Sequence, residues 1–121
     1  MSRITLGVAL FAALLAVGGA LAAGPSLSVS PGTVHRGRTV LIRGSVGKGC
    51  AVGDAVTVIS RAFVHTRDFA GLPAVFGRVR AGGTFRIQTR IPARRTPGRY
   101  GITARCGGGT LGVIAHLRVI A

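Results

Sequence analysis

Beyond residue 25, apolar side chains recur at every second position, not at the three-and-four spacing of a helix. Leu27 and Val29 alternate with Ser26, Ser28 and Ser30. Val40, Ile42 and Val46 share one face, with Thr39, Leu41, Arg43 and Ser45 on the other. Val56 and Val58 alternate with Thr57 and Ile59, in a run carried on as far as Val64. Val75, Gly77 and Val79 alternate with Phe76, Arg78 and Arg80; Phe85, Ile87, Thr89 and Ile91 with Arg86, Gln88 and Arg90. Tyr100, Ile102, Ala104 and Cys106 alternate with Arg99, Gly101, Thr103 and Arg105. Leu111, Val113, Ala115, Leu117 and Val119 alternate with Gly112, Ile114, His116, Arg118 and Ile120. Successive side chains of a strand point to opposite faces, so each run is a strand with one apolar face. Turn residues punctuate them: Pro31-Gly32 as a type II turn, Gly82-Gly83, Pro97-Gly98 and Gly107-Gly108-Gly109. Seven short strands in about a hundred residues predict one all-β domain, a seven-stranded antiparallel β-sandwich. The apolar faces pack together and the arginine-bearing faces meet water.

The first 23 residues obey a different rule. Arg3 precedes an apolar run from Leu6 to Val17; small residues follow, and Ala20-Leu21-Ala22 has the A-x-A form of a signal-peptidase site. This is the layout of a secretory signal, residues 1–23, cleaved near Ala22 or Ala23 and leaving a domain over 24–121. The alternative is an uncleaved anchor, because Ile4 to Ala23 is about the length that spans a bilayer. Gly18-Gly19 and the small residues after it favour cleavage. The expected location is secreted or associated with the cell envelope.

Cys50 and Cys106 are the two cysteines of the chain. An even pair in an exported protein reads as one disulfide. Two free thiols or a redox pair are the alternative, for which the spacing offers no C-x-x-C.

The segments SLSVSPGTVHRGRTVLIRGSVGKGC (26–50), GRVRAGGTFRIQTRIP (77–92) and PGRYGITARC (97–106), then a final strand, resemble the small immunoglobulin-like domains of secreted actinobacterial proteins. The resemblance covers about residues 25–121. It implies an immunoglobulin-like sandwich, with Cys50 at the end of the second strand bonded to Cys106. It also implies that Tyr100 sits at the corner between the fifth and sixth strands, with its ring buried and its hydroxyl on nearby backbone. Two features depart from the pattern. The chain has no Trp to pack on the disulfide, and the Ala81-Gly82-Gly83 hairpin lacks the acidic residues that relatives often place there. A Ca²⁺ site, built from about six or more oxygens, is therefore not expected. The fold hosts many roles, so the resemblance carries little about function.

Chemistry is sparse. The chain has three His, two acidic residues and no Glu. His65 and Asp68, with Ser60 or Thr66, are the one set that offers nucleophile, base and carboxylate. They define the alternative reading, a small secreted hydrolase or metal protein. Nothing around them has the form of a nucleophile elbow, and the segment reads as a polar loop. His35, His65 and His116 have no local ligand spacing, so no metal or other cofactor is expected. Gly107-Gly108-Gly109 precedes a strand, which makes it a hairpin and not a phosphate cradle.

The functional lead is charge. The chain carries 16 basic against two acidic residues, a formal +14, or +13 once Arg3 is lost. Such a field speeds encounter with polyanions. Arg78, Arg80, Arg99, Arg105 and Arg118 on outward strand faces, with Arg94 and Arg95 in a protruding turn, are the candidate contacts. An arginine can hold phosphate or carboxylate through two parallel hydrogen bonds. The expected partners are anionic wall polymers, lipid headgroups or other polyanions. Sequence-specific nucleic-acid reading is not expected, for want of a recognition helix or an aromatic platform. Equally, the arginines are what a solvated sandwich needs to stay soluble and guard its edges. Ile59, Ile114 and Ile120 are predicted on outward faces, and if joined would mark a protein interface. The reading that results is a non-catalytic domain with a binding or structural role outside the cell.

Overall fold

A computed structural model describes residues 24–121; the expected signal, residues 1–23, lies outside the described residues. Nine strands follow in order: β1 (Ser26–Ser30), β2 (Thr33–His35), β3 (Thr39–Ser45), β4 (Ala55–Ile59), β5 (Asp68–Phe69), β6 (Leu72–Arg78), β7 (Thr84–Arg90), β8 (Gly98–Cys106) and β9 (Gly109–Ile120). They form a three-stranded sheet, β1-β3-β7, and a six-stranded sheet, β2-β9-β8-β4-β6-β5. Val40, Ile42, Phe85 and Ile87 from the first meet Val56, Val58, Ile102, Leu117 and Val119 from the second in one buried cluster. The fold is an all-β sandwich, as the alternation predicts, and it is immunoglobulin-like, as the resemblance implies.

Two glycines in that alternation are apolar positions by location. A Cβ on Gly44 would lie 2.6 Å from the Phe85 ring and 2.2 Å from the Ser26 carbonyl oxygen. A Cβ on Gly77 would lie 2.7 Å from Ile87. Each is an inward slot kept empty so that a large side chain of β7 can fill it, as close packing of interiors requires.

The strand count and pairing differ from expectation at β2 and at β5. The Ser30–Pro31 peptide is cis and Gly32 does not take a positive φ, so the turn is not type II. There the chain leaves the small sheet: the Gly32 carbonyl accepts from the Arg118 amide at 2.9 Å. β2 then runs parallel to β9, with Val34 opposite Val119. The sandwich is therefore not wholly antiparallel. Leaving β1 on one sheet and β2 on the other lets a single segment cover an edge of each.

The run from Val56 does not continue to Val64. β4 ends at Ile59, and the Ser60 hydroxyl accepts from the Ala62 amide at 3.1 Å, turning the chain. Ala62 and Phe63, which the sequence places in a polar loop, are fully buried in the core. Part of the same loop forms β5, which pairs with β6 through Phe69 and Leu72.

Cys50 and Cys106 form a disulfide with 6.1 Å between their Cα atoms. That lies within the range a disulfide spans. Cys50 sits in the β3–β4 loop, beyond the end of β3. The bond thus ties the segment that passes between the sheets to the end of β8. Tyr100 packs half-buried against the core, and its hydroxyl donates to the Thr96 carbonyl. Gly107 and Gly108 both take positive φ and close a two-residue hairpin between Cys106 and Gly109. Of the three outward isoleucines, Ile114 is 57% exposed, Ile120 is half-buried, and Ile59 is only 9% exposed. Ile59 does face outward from β4. Its cross-strand neighbours Ala74 and Thr103 flank it on both sides in a central strand, which corrects the expectation of exposure.

Candidate functional site

The seven arginines singled out in the sequence do not share one face. Arg78, Arg99, Arg105 and Arg118 stand on the six-stranded sheet, where Arg99 and Arg118 are directly paired across β8 and β9. The Arg78 guanidinium donates to the Gly53 carbonyl at 2.9 Å, and that of Arg105 lies over the Phe69 ring at 4.9 Å. Arg94 is exposed in the β7–β8 turn. Arg95 does not protrude with it. Arg95 is half-buried and donates through Nη2 to the Phe63 carbonyl at 2.8 Å, holding the buried loop in place. Only Arg80 approaches the three-stranded sheet.

The smaller sheet carries a second cross-strand arginine pair, set in different surroundings from Arg99 and Arg118. Antiparallel pairing of β3 with β7 sets Arg43 directly opposite Arg86. Pairing of β1 with β3 puts Ser28 on the other side of Arg43. One step along, Ser26, Ser45 and Thr84 form a row of hydroxyls. Arg80, bridged to Thr84, closes the end. Ser26, Ser28, Arg43, Arg80, Thr84 and Arg86 line a shallow hollow of about 350 Å³. Among the described residues, none of its three guanidiniums donates a hydrogen bond inside the protein. Farther along the same face of β7, Arg90 donates through Nε to the Gly37 carbonyl at 3.1 Å.

Like charges placed directly opposite across a ladder are destabilising. The usual remedy is an interleaved carboxylate, and β1, β3 and β7 contain none. Both acids lie on the other side of the molecule. Asp54 precedes β4 and accepts from the Ala51 amide at 2.9 Å; Asp68 opens β5. Arg43 and Arg86 were each legible as outward residues. Their apposition was not, because they lie in different segments and meet only through the β3–β7 register.

The set considered for hydrolysis is only partly assembled. His65 Nε2 lies 3.6 Å from Asp68 Oδ2, with both side chains more than half exposed. Ser60 is buried, its hydroxyl committed to the Ala62 amide, and no hydrogen bond joins it or Thr66 to His65 among the described residues. The three histidines stand apart in the fold. His35 in β2 bonds through Nδ1 to the Ala121 carbonyl oxygen at 2.9 Å, His65 lies before β5, and His116 is on the outer face of β9. The one grouping of three metal-type side chains among the described residues is Cys50, Asp54 and Cys106, whose two sulfurs are joined to each other.

No protein-family model and no curated protein sequence matches the chain. Solved structures match it in fold. A Pseudomonas fluorescens alkylpurine DNA glycosylase, AlkC, bound to DNA containing an abasic site analogue, aligns at TM-score 0.51 and 18% identity, over 79% of this chain and 29% of that one. The sensor domain of the anti-sigma factor RsgI4 from Pseudobacteroides cellulosolvens aligns at TM-score 0.50 and 6% identity, over 84% of this chain and 99% of that domain. The Calx CBD1 domain aligns at TM-score 0.47 and 15% identity, over 78% and 98%. The chain spans less than a third of the glycosylase and nearly the whole of the two isolated domains. At such identities the likeness is one of β-sandwich architecture.

Proposed function

We propose that the protein is an exported, non-catalytic binding domain of the cell envelope that holds anionic polymers along the outer face of its three-stranded sheet. The observation that carries this reading is the Arg43–Arg86 apposition, joined by Arg80 and a row of hydroxyls and left without any carboxylate. A bound phosphate or carboxylate accepts forked hydrogen bonds from such guanidiniums and removes their mutual repulsion. The serine and threonine hydroxyls supply further donors. Export is supported by the signal-like residues 1–23 and by the disulfide, a bond that persists in oxidising compartments. The non-catalytic reading is supported by the separation of Ser60 from His65 and by the open position of His65 and Asp68.

The test is retention of the protein on immobilised polyphosphate across a salt series. Binding should weaken steeply as NaCl rises, because the polymer's condensed counterions are released on binding. Arg43→Gln with Arg86→Gln should reduce the slope of log K against log salt by about two and weaken binding by roughly tenfold at low salt. Arg94→Gln should change the slope by no more than about one. Undiminished retention of the double variant, or retention that persists in roughly 1 M NaCl where charge is screened within a few ångströms, would refute the assignment.

A further inference from the structure

The outer face of the six-stranded sheet holds a second hollow, of about 400 Å³, whose chemistry differs from the arginine face. Its floor is aliphatic: Ile59, Leu72 and Ile114, with Thr103 between Ile59 and Ile114 in the cross-strand row. Arg61 and Arg99 stand at its rim. Neither guanidinium has a carboxylate partner or donates a hydrogen bond inside the protein among the described residues. Space is maintained at one position of β8. Gly101 lies between Arg99 and Thr103 on the outward face, and a Cβ there would come within 3.2 Å of the Ile114 Cδ1. Any larger side chain would occupy the hollow.

An apolar floor more than half open at Ile114, edged by two free cations, is complementary to a ligand with an aliphatic body and one negative charge. The extent of the floor narrows the class further. In the direction of β5 and β6, Arg67 lies over the Phe76 ring at 5.6 Å. One row along the strands, Thr57 and Arg105 interrupt the apolar surface. A long acyl tail would have to cross those polar groups, whereas a single branched side chain is accommodated. The Thr103 hydroxyl in the middle of the floor suits a peptide backbone better than a hydrocarbon.

We propose that this hollow is a receptor for the carboxyl-terminal residue of a peptide or protein partner. Its aliphatic side chain rests on Ile59, Leu72 and Ile114, and its terminal carboxylate lies between Arg61 and Arg99. The site is separate from the polyanion face and uses none of its residues.

Titration of the full, methyl-labelled protein with N-acetyl-leucine, followed by NMR, tests it. Saturable shifts are expected at the Ile59, Leu72 and Ile114 methyls, with millimolar affinity for so small a probe. N-acetyl-leucinamide, which lacks the carboxylate, should bind about tenfold more weakly, the worth of a charge-assisted hydrogen bond. Arg99→Gln and Arg61→Gln should each produce a similar loss while leaving the rest of the spectrum unchanged. Gly101→Val should abolish the shifts by filling the hollow, and the two arginine variants keep the test decisive if that variant folds poorly. Arg43→Gln with Arg86→Gln should leave this titration untouched, which separates its outcome from that of the polyanion test. Equal binding of acid and amide, absence of saturable shifts at the solubility limit, or tighter binding of octanoate than of N-acetyl-leucine would overturn the proposal, the last in favour of fatty acids.

Discussion

The two outer faces of the sandwich are made from the same strand pattern and yet present different surfaces. On the three-stranded sheet, the outward positions hold serine, threonine and arginine, with no acid and with Arg43 set against Arg86. On the six-stranded sheet, arginines share the surface with Ile114, Phe69 and Phe76, and both acids lie on that side. Two of its arginines are partly engaged, Arg105 over an aromatic ring and Arg78 on a carbonyl. The excess of positive charge is thus divided by the fold into a free cationic strip and a mixed apolar–cationic surface. The lesson is that count and sign of charge do not locate a binding face; the pairing register does.

The largest expected effect removes the frame on which both faces rest. Replacing Cys50 and Cys106 by Ser opens a loop of 56 residues, and in the chain-entropy model this should lower stability by about 4 kcal/mol. Denaturant unfolding with and without reductant checks it. Both binding titrations should fail together in the reduced protein if the faces share one cooperative fold. Independent survival of either would separate them into different folding units.

A sharper comparison comes from the two inward glycines. Gly44→Ala drives a methyl group at a backbone oxygen and a buried ring, whereas Gly77→Ala meets only the Ile87 side chain. Overpacking of this kind costs about 1–3 kcal/mol. Gly44→Ala should fall at the upper end or beyond and Gly77→Ala at the lower, because Ile87 has rotamers and the Ser26 carbonyl does not. Thermal melts that rank them in the reverse order would show that the Ser26 backbone yields more readily than the Ile87 side chain.

Next in size, Tyr100→Phe removes the hydroxyl that donates to Thr96 and should cost about 0.5–1.5 kcal/mol, read as a lower denaturation midpoint at unchanged slope. An unchanged midpoint would place that hydroxyl free in solvent.

The smallest effect bears directly on the contrast between faces. Arg43→Gln relieves a like-charge pair and should stabilise the protein by about 0.2–1 kcal/mol at low salt. The gain should vanish at high salt, where screening removes the repulsion. The substitution Arg105→Gln should be neutral or destabilising, since that guanidinium lies on the Phe69 ring. Stabilisation by both to the same extent would mean that the two faces are electrostatically alike.

Much of the architecture was legible because a period of two has few solutions. Each alternating run contains a strand, though the one from Val56 stops at Ile59; the Gly107-Gly108 turn is where the glycines put it, and the disulfide and the Tyr100 hydrogen bond follow the immunoglobulin-like pattern. Failures occurred where local pattern and tertiary context disagree. Phe63 sits among polar residues in the chain but fills the core, because the Ser60 turn folds the loop inward and Arg95 fastens it. Ile59 reads as exposed because alternation reports direction and not cover. The candidate sites were less legible than the fold, and neither hollow could be drawn from one segment.

The sequence by itself determined a β-sandwich, its inward residues, the cysteine pair and an excess of positive charge, since these depend on side-chain type and spacing along one strand. Tertiary structure alone decided which arginines meet, which apolar residues remain open and where the glycines leave space. Those properties belong to neighbouring strands, and a strand's neighbours are chosen by the packing of the whole sheet. Arg43 finds Arg86, and Ile114 finds Gly101, only after that choice is made.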